Sequence, residues 1–65
     1  MEIINEAIQI GTLVRLKSGG PDMTVTGRVK KNPKILICTW WDESIGQKSD
    51  TFHEDAVRII TPEVS

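Results

Sequence analysis

One cysteine in 65 residues rules out an internal disulfide, and with a single histidine beside it the chain holds no set of four zinc ligands. Both usual staples of a small domain are missing, so packing, alone or against a second copy, has to supply the stability. No metal and no cofactor is expected. A long apolar run is missing too. Residues 1–6 are acidic, lack a basic stretch and lead into no apolar segment of the length a signal peptide or a membrane span needs. The expectation is a cytoplasmic protein with a reduced thiol and no membrane contact. Charge of one sign is not in excess either: 8 Lys and Arg stand against 9 Asp and Glu, a net charge of −1 that is unlike a dedicated nucleic-acid binder. A chain this short buries only about 60% of its unfolded surface, which leaves little structure to spare for an elaborate active site. Catalysis is not expected.

What is present is punctuation. Glycine and proline fall at Gly11, Gly19-Gly20-Pro21, Gly27, Asn32-Pro33, Gly46 and Pro62, and the intervals are mostly of strand length. Residues 12–17 alternate, with Val14 and Leu16 on one face and Leu13, Arg15 and Lys17 on the other. Residues 23–30 alternate again, Met23, Val25, Gly27 and Val29 against Thr24, Thr26, Arg28 and Lys30. Gly27 in mid-strand points to a bulge or a sharp bend. After a turn at residues 31–34, residues 35–41 form a run apolar on both faces, the expected central strand. A polar loop holding Asp42, Glu43, Ser44, Gly46, Gln47 and Lys48 leads to a shorter strand at 49–53. His53-Glu54-Asp55-Ala56 suits a single 3₁₀ turn, and residues 57–60 form the last strand. These features describe an all-β protein, a small five-stranded SH3-like barrel over residues 11–61. An OB-fold competes, but it usually needs more residues and a helix between its third and fourth strands. In residues 3–10, Ile3, Ile4, Ala7 and Ile8 share one helical face, so residues 1–10 are expected to be a short helical or extended segment packed on the barrel or on a partner. Residues 62–65 read as a tail.

Three groups of residues invite a functional reading, and each has a plainer one. Cys38, His53 and Asp55 supply a thiol, a base and an orienting acid, but Cys38 shares a face with Leu36 and Trp40, where a thiol is normally a small buried hydrophobe. Ser18-Gly19-Gly20-Pro21-Asp22 has the glycines of an anion-cradling loop, yet no Gly-Lys-Ser/Thr and no helix follow. It reads as a fixed turn, with Ser18 and Asp22 placed to contact a partner. Residues 1–34 hold six cations against three acids, and residues 35–65 two cations against six acids. By alternation Arg15 with Lys17, and Arg28 with Lys30, lie on outer faces. With Lys31 and Lys34 they would form a basic patch, and beside an exposed Trp41 that patch would suit single-stranded nucleic acid.

The string from Gly11 to Val25, Gly-Thr-Leu-Val-Arg-Leu-Lys-Ser-Gly-Gly-Pro-Asp-Met-Thr-Val, followed by Cys38-Thr39-Trp40-Trp41 and then Phe52, resembles the YodC-like family of short uncharacterised bacterial and phage proteins. The pattern there is roughly G-D-x-V-x-L-K-S-G-G-P-x-M-T-V, then C-x-W-F, then a Phe and a Leu near the end. The likeness spans residues 10–60. Thr12 departs from it where an acid is usual, and Trp41 where a Phe is usual. The resemblance implies the same fold class and a cytoplasmic setting, and brings no mechanism with it.

Trp40 and Trp41 must point to opposite faces of a strand. The alternation that buries Leu36, Cys38 and Trp40 leaves Ile35, Ile37 and Trp41 together outside, and a small barrel has one interior. Something has to cover that strip: residues 3–10, a second copy, or a partner. The leading expectation is a non-enzymatic module that binds a protein, or itself, through Ile35, Ile37 and Trp41, with an inhibitor of a host factor, of the kind phages carry, as its narrower form. The alternative is a nucleic-acid-binding barrel using Arg15, Lys17, Arg28, Lys30, Lys31 and Lys34.

Overall fold

The fold is seen in a computed structural model, which describes residues 8–60. Strands β1 (Leu13–Leu16), β2 (Met23–Val29), β3 (Asn32–Asp42) and β4 (Gly46–His53) lead through a 3₁₀ turn at Glu54–Ala56 to β5 (Val57–Ile59). All pairings are antiparallel and the spatial order is β4-β3-β2-β1-β5. Four strands thus run as a meander, and the 3₁₀ turn carries the chain back to the far side of β1. This is the order of an SH3-like barrel, left open because β4 and β5 do not pair. Among the described residues no helix is long and apolar enough to cross a membrane.

The interior is built by the inward phase of each strand. Val14, Met23, Val25, Leu36, Cys38 and Val57 are buried together with Ile8, and Leu16, Trp40 and Phe52 pack against them. Ile8 precedes any strand. The amphipathic segment expected over residues 3–10 is not helical at its end, since Ile8 and Gln9 are irregular and Ile10-Gly11 form a turn. The Thr12 hydroxyl accepts from Gln9 N–H at 3.0 Å while Thr12 N–H donates to the Gln9 carbonyl at 3.0 Å, a reciprocal pair that closes that turn. Ile3, Ile4 and Ala7 lie outside the described residues.

The third and fourth strands are longer than alternation alone indicates. The Asp42 Oδ1 accepts from the N–H groups of Ser44 at 2.8 Å and Ile45 at 3.1 Å, reversing the chain within three residues. Gly46, at φ +97°, then starts β4 directly opposite Asp42. Residues expected in a polar loop are therefore ladder residues, with Lys48 opposite Trp40 and Gln47 opposite Trp41.

A second correction concerns Arg28. The register of β2 on β3 slips between Val25 and Gly27, so Thr26 is the extra residue of a β-bulge. A bulge advances the side-chain phase by one, and every residue after it changes face. Arg28, expected outside with Lys30, instead stands opposite the buried Leu36 and points inward. Its guanidinium donates to the Glu54 carboxylate at 3.0 Å, to the Ile8 carbonyl at 2.7 Å and to the Pro33 carbonyl at 2.6 Å. The Glu54 side chain is only 5% exposed. One cation thus ties the entering segment, the start of β3 and the 3₁₀ turn to β2.

Candidate functional site

Outside the barrel, β3 offers Ile35, Ile37, Thr39 and Trp41 in one row, and the structure treats them unequally. Ile35 and Ile37 are half-buried, whereas Trp41 is 72% exposed. Ile37 owes its shelter to the bulge: its Cδ1 lies over Gly27, 3.6 Å from where a β-carbon would stand. Ile35 is opposite His53. Thr39 lies between Ile37 and Trp41, its hydroxyl 3.2 Å from that of Thr26, and Thr26 also donates to the Ile37 carbonyl at 3.2 Å. This part of the outer surface is polar and satisfied. Ile8 goes into the barrel and Ile10 is exposed, so neither covers the strip.

Trp41 is joined at the hairpin tip by a residue that the sequence did not single out. The three-residue reversal after Asp42 leaves Ile45 69% exposed, and the Trp41 ring extends toward Gly46, its Cη2 3.8 Å from the place of a β-carbon. The signal for Ile45 was the Asp-x-x-x-Gly spacing of a short hairpin loop, which leaves an isoleucine in the turn itself, off either strand. Trp40, one residue earlier, faces inward against Phe52 at 6.3 Å between ring centroids. On its open side the Lys48 ammonium stands 5.9 Å from the ring centre.

The thiol trio does not assemble. Cys38 is fully buried opposite Asp50, and burial pushes its thiol above the ordinary range. His53 lies three residues beyond Asp50 on the opposite face of β4, about 10 Å along the strand. Its Nδ1 accepts from the Asp55 N–H at 3.1 Å, capping the 3₁₀ turn. Among the described residues there is no group of three His, Cys, Asp or Glu suited to a metal ion, and no cavity.

The loop Ser18-Gly19-Gly20-Pro21-Asp22 is exposed throughout. Gly19 and Gly20 sit at φ +108° and +118°, where a β-carbon is strained, and Gly19 N–H donates to the Leu16 carbonyl at 2.9 Å. Asp22 is already engaged, accepting from the Arg15 Nε at 2.9 Å, which clasps the loop to β1. The six basic residues fall into separate groups. Arg15 and Lys17 lie past the start of β2, with Arg58 opposite Arg15, whereas Lys30 and Lys31 form the turn at its other end, about 20 Å away. Lys34 follows that turn inside β3, and Arg28 is inside the barrel.

Comparison with curated proteins and with solved structures gives no match. A family model does match, over residues 9–57, from just after the buried Ile8 to the first residue of β5, and the chain therefore belongs to DUF2158, a family of uncharacterized small proteins.

Proposed function

We propose that this protein is a non-enzymatic binding module that docks a protein partner through the outer face of the β3–β4 hairpin. Trp41 is the anchor, Ile45 its companion at the tip, and Ile35 and Ile37 form the floor of the same row. The observation that carries this reading is the 72% exposure of Trp41 on an otherwise polar, hydrogen-bonded face. Tryptophan left in water gains most from entering an apolar pocket and is enriched where interfaces draw their energy. Glu43 and Asp42 flank the tip, so an apolar cleft with a basic rim fits it best. A cytoplasmic setting, and the finer likeness to YodC-like proteins of bacteria and phages with a host factor as the partner, belong to this proposal.

The nucleic-acid alternative is the weaker reading. It loses Arg28 to the Glu54 pair, and its remaining cations are divided between two ends of the sheet. Affinity purification from the source cells separates the two. A partner retained by the native chain and by a Lys30→Ala, Lys31→Ala variant, and lost with Trp41→Ala, is the expected result. Oligonucleotide binding that falls steeply with salt and ignores Trp41→Ala would overturn it.

A further inference from the structure

The open barrel has two edges of different kinds. β5 is a three-residue edge; β4 has eight residues and, among the described residues, no strand on its outer side. A long edge strand offers a row of unpaired backbone groups, a template for another strand. Which groups these are follows from the ladder. Val25 spends both its N–H and its C=O on the β1 side, in bonds of 2.9 and 2.8 Å. Antiparallel alternation then turns the backbone of Thr24 toward β3, that of its opposite residue Thr39 toward β2, and that of Cys38 toward β4. On β4 this commits Asp50, opposite Cys38, to the ladder and leaves Gln47, Ser49 and Thr51 facing the open edge. Thr51 agrees: its N–H is held by the carboxylate of its own neighbour Asp50, at 2.7 Å.

We propose that this edge pairs with the same edge of a second copy, antiparallel and two-fold about Ser49, forming one continuous ten-stranded sheet. The side chains argue for that occupant and that register. With Ser49 opposite Ser49, Lys48 of each copy stands opposite Asp50 of the other, twice by symmetry, so the edge is complementary in charge to itself. Slipping the pairing by two residues sets Lys48 opposite Lys48 or Asp50 opposite Asp50 and loses both ion pairs. The ammonium that now rests on the Trp40 ring gains a carboxylate on its other side, becoming a cation between a ring and an anion. Thr51 N–H exchanges the Asp50 carboxylate for the Gln47 carbonyl of the second copy, which frees Asp50 for Lys48. The same register carries Ile45 of each copy to His53 of the other, withdrawing an exposed side chain from water. This surface is the edge of the sheet; it shares Ile45 with the docking face but does not rest on Trp41.

The test is a charge exchange read by sedimentation equilibrium. The native chain is expected to dimerise. Lys48→Asp and Asp50→Lys each place two pairs of like charges across the axis and are expected to weaken the dimer by at least about tenfold. The double exchange restores opposite charges and the dimer, and an equimolar mixture of the two single variants forms a heterodimer. Trp41→Ala leaves the dimer intact and abolishes only partner docking. A native chain still monomeric at about 1 mM overturns the proposal. So does a folded double exchange that stays monomeric, or loss of the dimer with Trp41→Ala, which would place self-association on the outer face instead. Amide exchange of the native chain decides the matter if the variants do not fold. Protection of the Ser49 N–H that rises with protein concentration is expected, and protection independent of concentration overturns the pairing.

Discussion

Three side chains on the inner surface decide how this small domain responds to chemistry. Cys38 is fully enclosed and its thiol is pushed up by burial, so the folded protein keeps a proton that the unfolded chain releases near the ordinary thiol value of 9.0. The unfolded state therefore binds fewer protons above that pH, and stability is expected to fall as pH rises through the thiol range. Urea unfolding at several alkaline pH values measures this, and Cys38→Ala should flatten the slope. Alkylation of Cys38 should likewise proceed only as fast as the domain opens. Arg28 and Glu54 act as a pair. Removing one partner strands the other in a site built for two charges, and Arg28→Ala or Glu54→Ala is expected to cost about 3 kcal/mol in chemical denaturation. That is a large share of the stability of any small domain. Replacing both by apolar residues of similar volume should recover only part of it, because the Ile8 and Pro33 carbonyls lose their donor.

At the scale of elements, β2 and the β3–β4 hairpin set the geometry by different glycines. Gly46 starts β4 at φ +97°, and a β-carbon there is strained whatever room surrounds it. Gly46→Ala is expected to lower stability by about 1 kcal/mol or more and to disturb the presentation of Trp41 and Ile45, visible as a shift in tryptophan emission. Gly27 sits in the bulge without a positive φ, and an added β-carbon would meet Ile37 at an ordinary contact distance. Gly27→Ala is therefore expected to be neutral or to stabilise by about 0.5 kcal/mol through the unfolded chain. The two substitutions, measured side by side by thermal unfolding, separate a glycine needed for its backbone from one that only leaves space. The existence of the five strands was legible in the sequence because alternation and turn residues are local signals. The phase after Gly27 was not, since a bulge shifts the face of every later residue without altering their order.

Over its described residues the molecule is an open sheet with a charged pair closing its interior, an apolar tip and a long edge strand. The tip lies beyond the buried core, and the outward backbone groups of β4 point away from it, so the surfaces proposed for association are distinct from the side chains that hold the fold together. Substitutions at Trp41, Ile45, Lys48 or Asp50 are accordingly expected to change association far more than stability, within about 0.5 kcal/mol of the native chain on unfolding. Substitutions at Leu36, Val14 or Met23 should do the reverse, with truncation to alanine costing about 2–4 kcal/mol by the loss of buried contacts. Guanidinium melts of the two sets, beside their sedimentation behaviour, test that division.

The chain by itself determined that the domain is all-β and has five strands, and that Trp40 and Trp41 part to opposite faces. These follow from the two-residue period of a strand and from where glycine and proline interrupt it. Only the tertiary structure decided that Arg28 belongs inside, that the expected basic patch is two groups at opposite ends of β2, and that Lys48 and Asp50 lie on the edge strand of the sheet. Those facts depend on register, which is fixed by which strand lies beside which and by one extra residue at Thr26; Gly27 signals a bulge locally, but not which residue is extra or which way the later side chains turn.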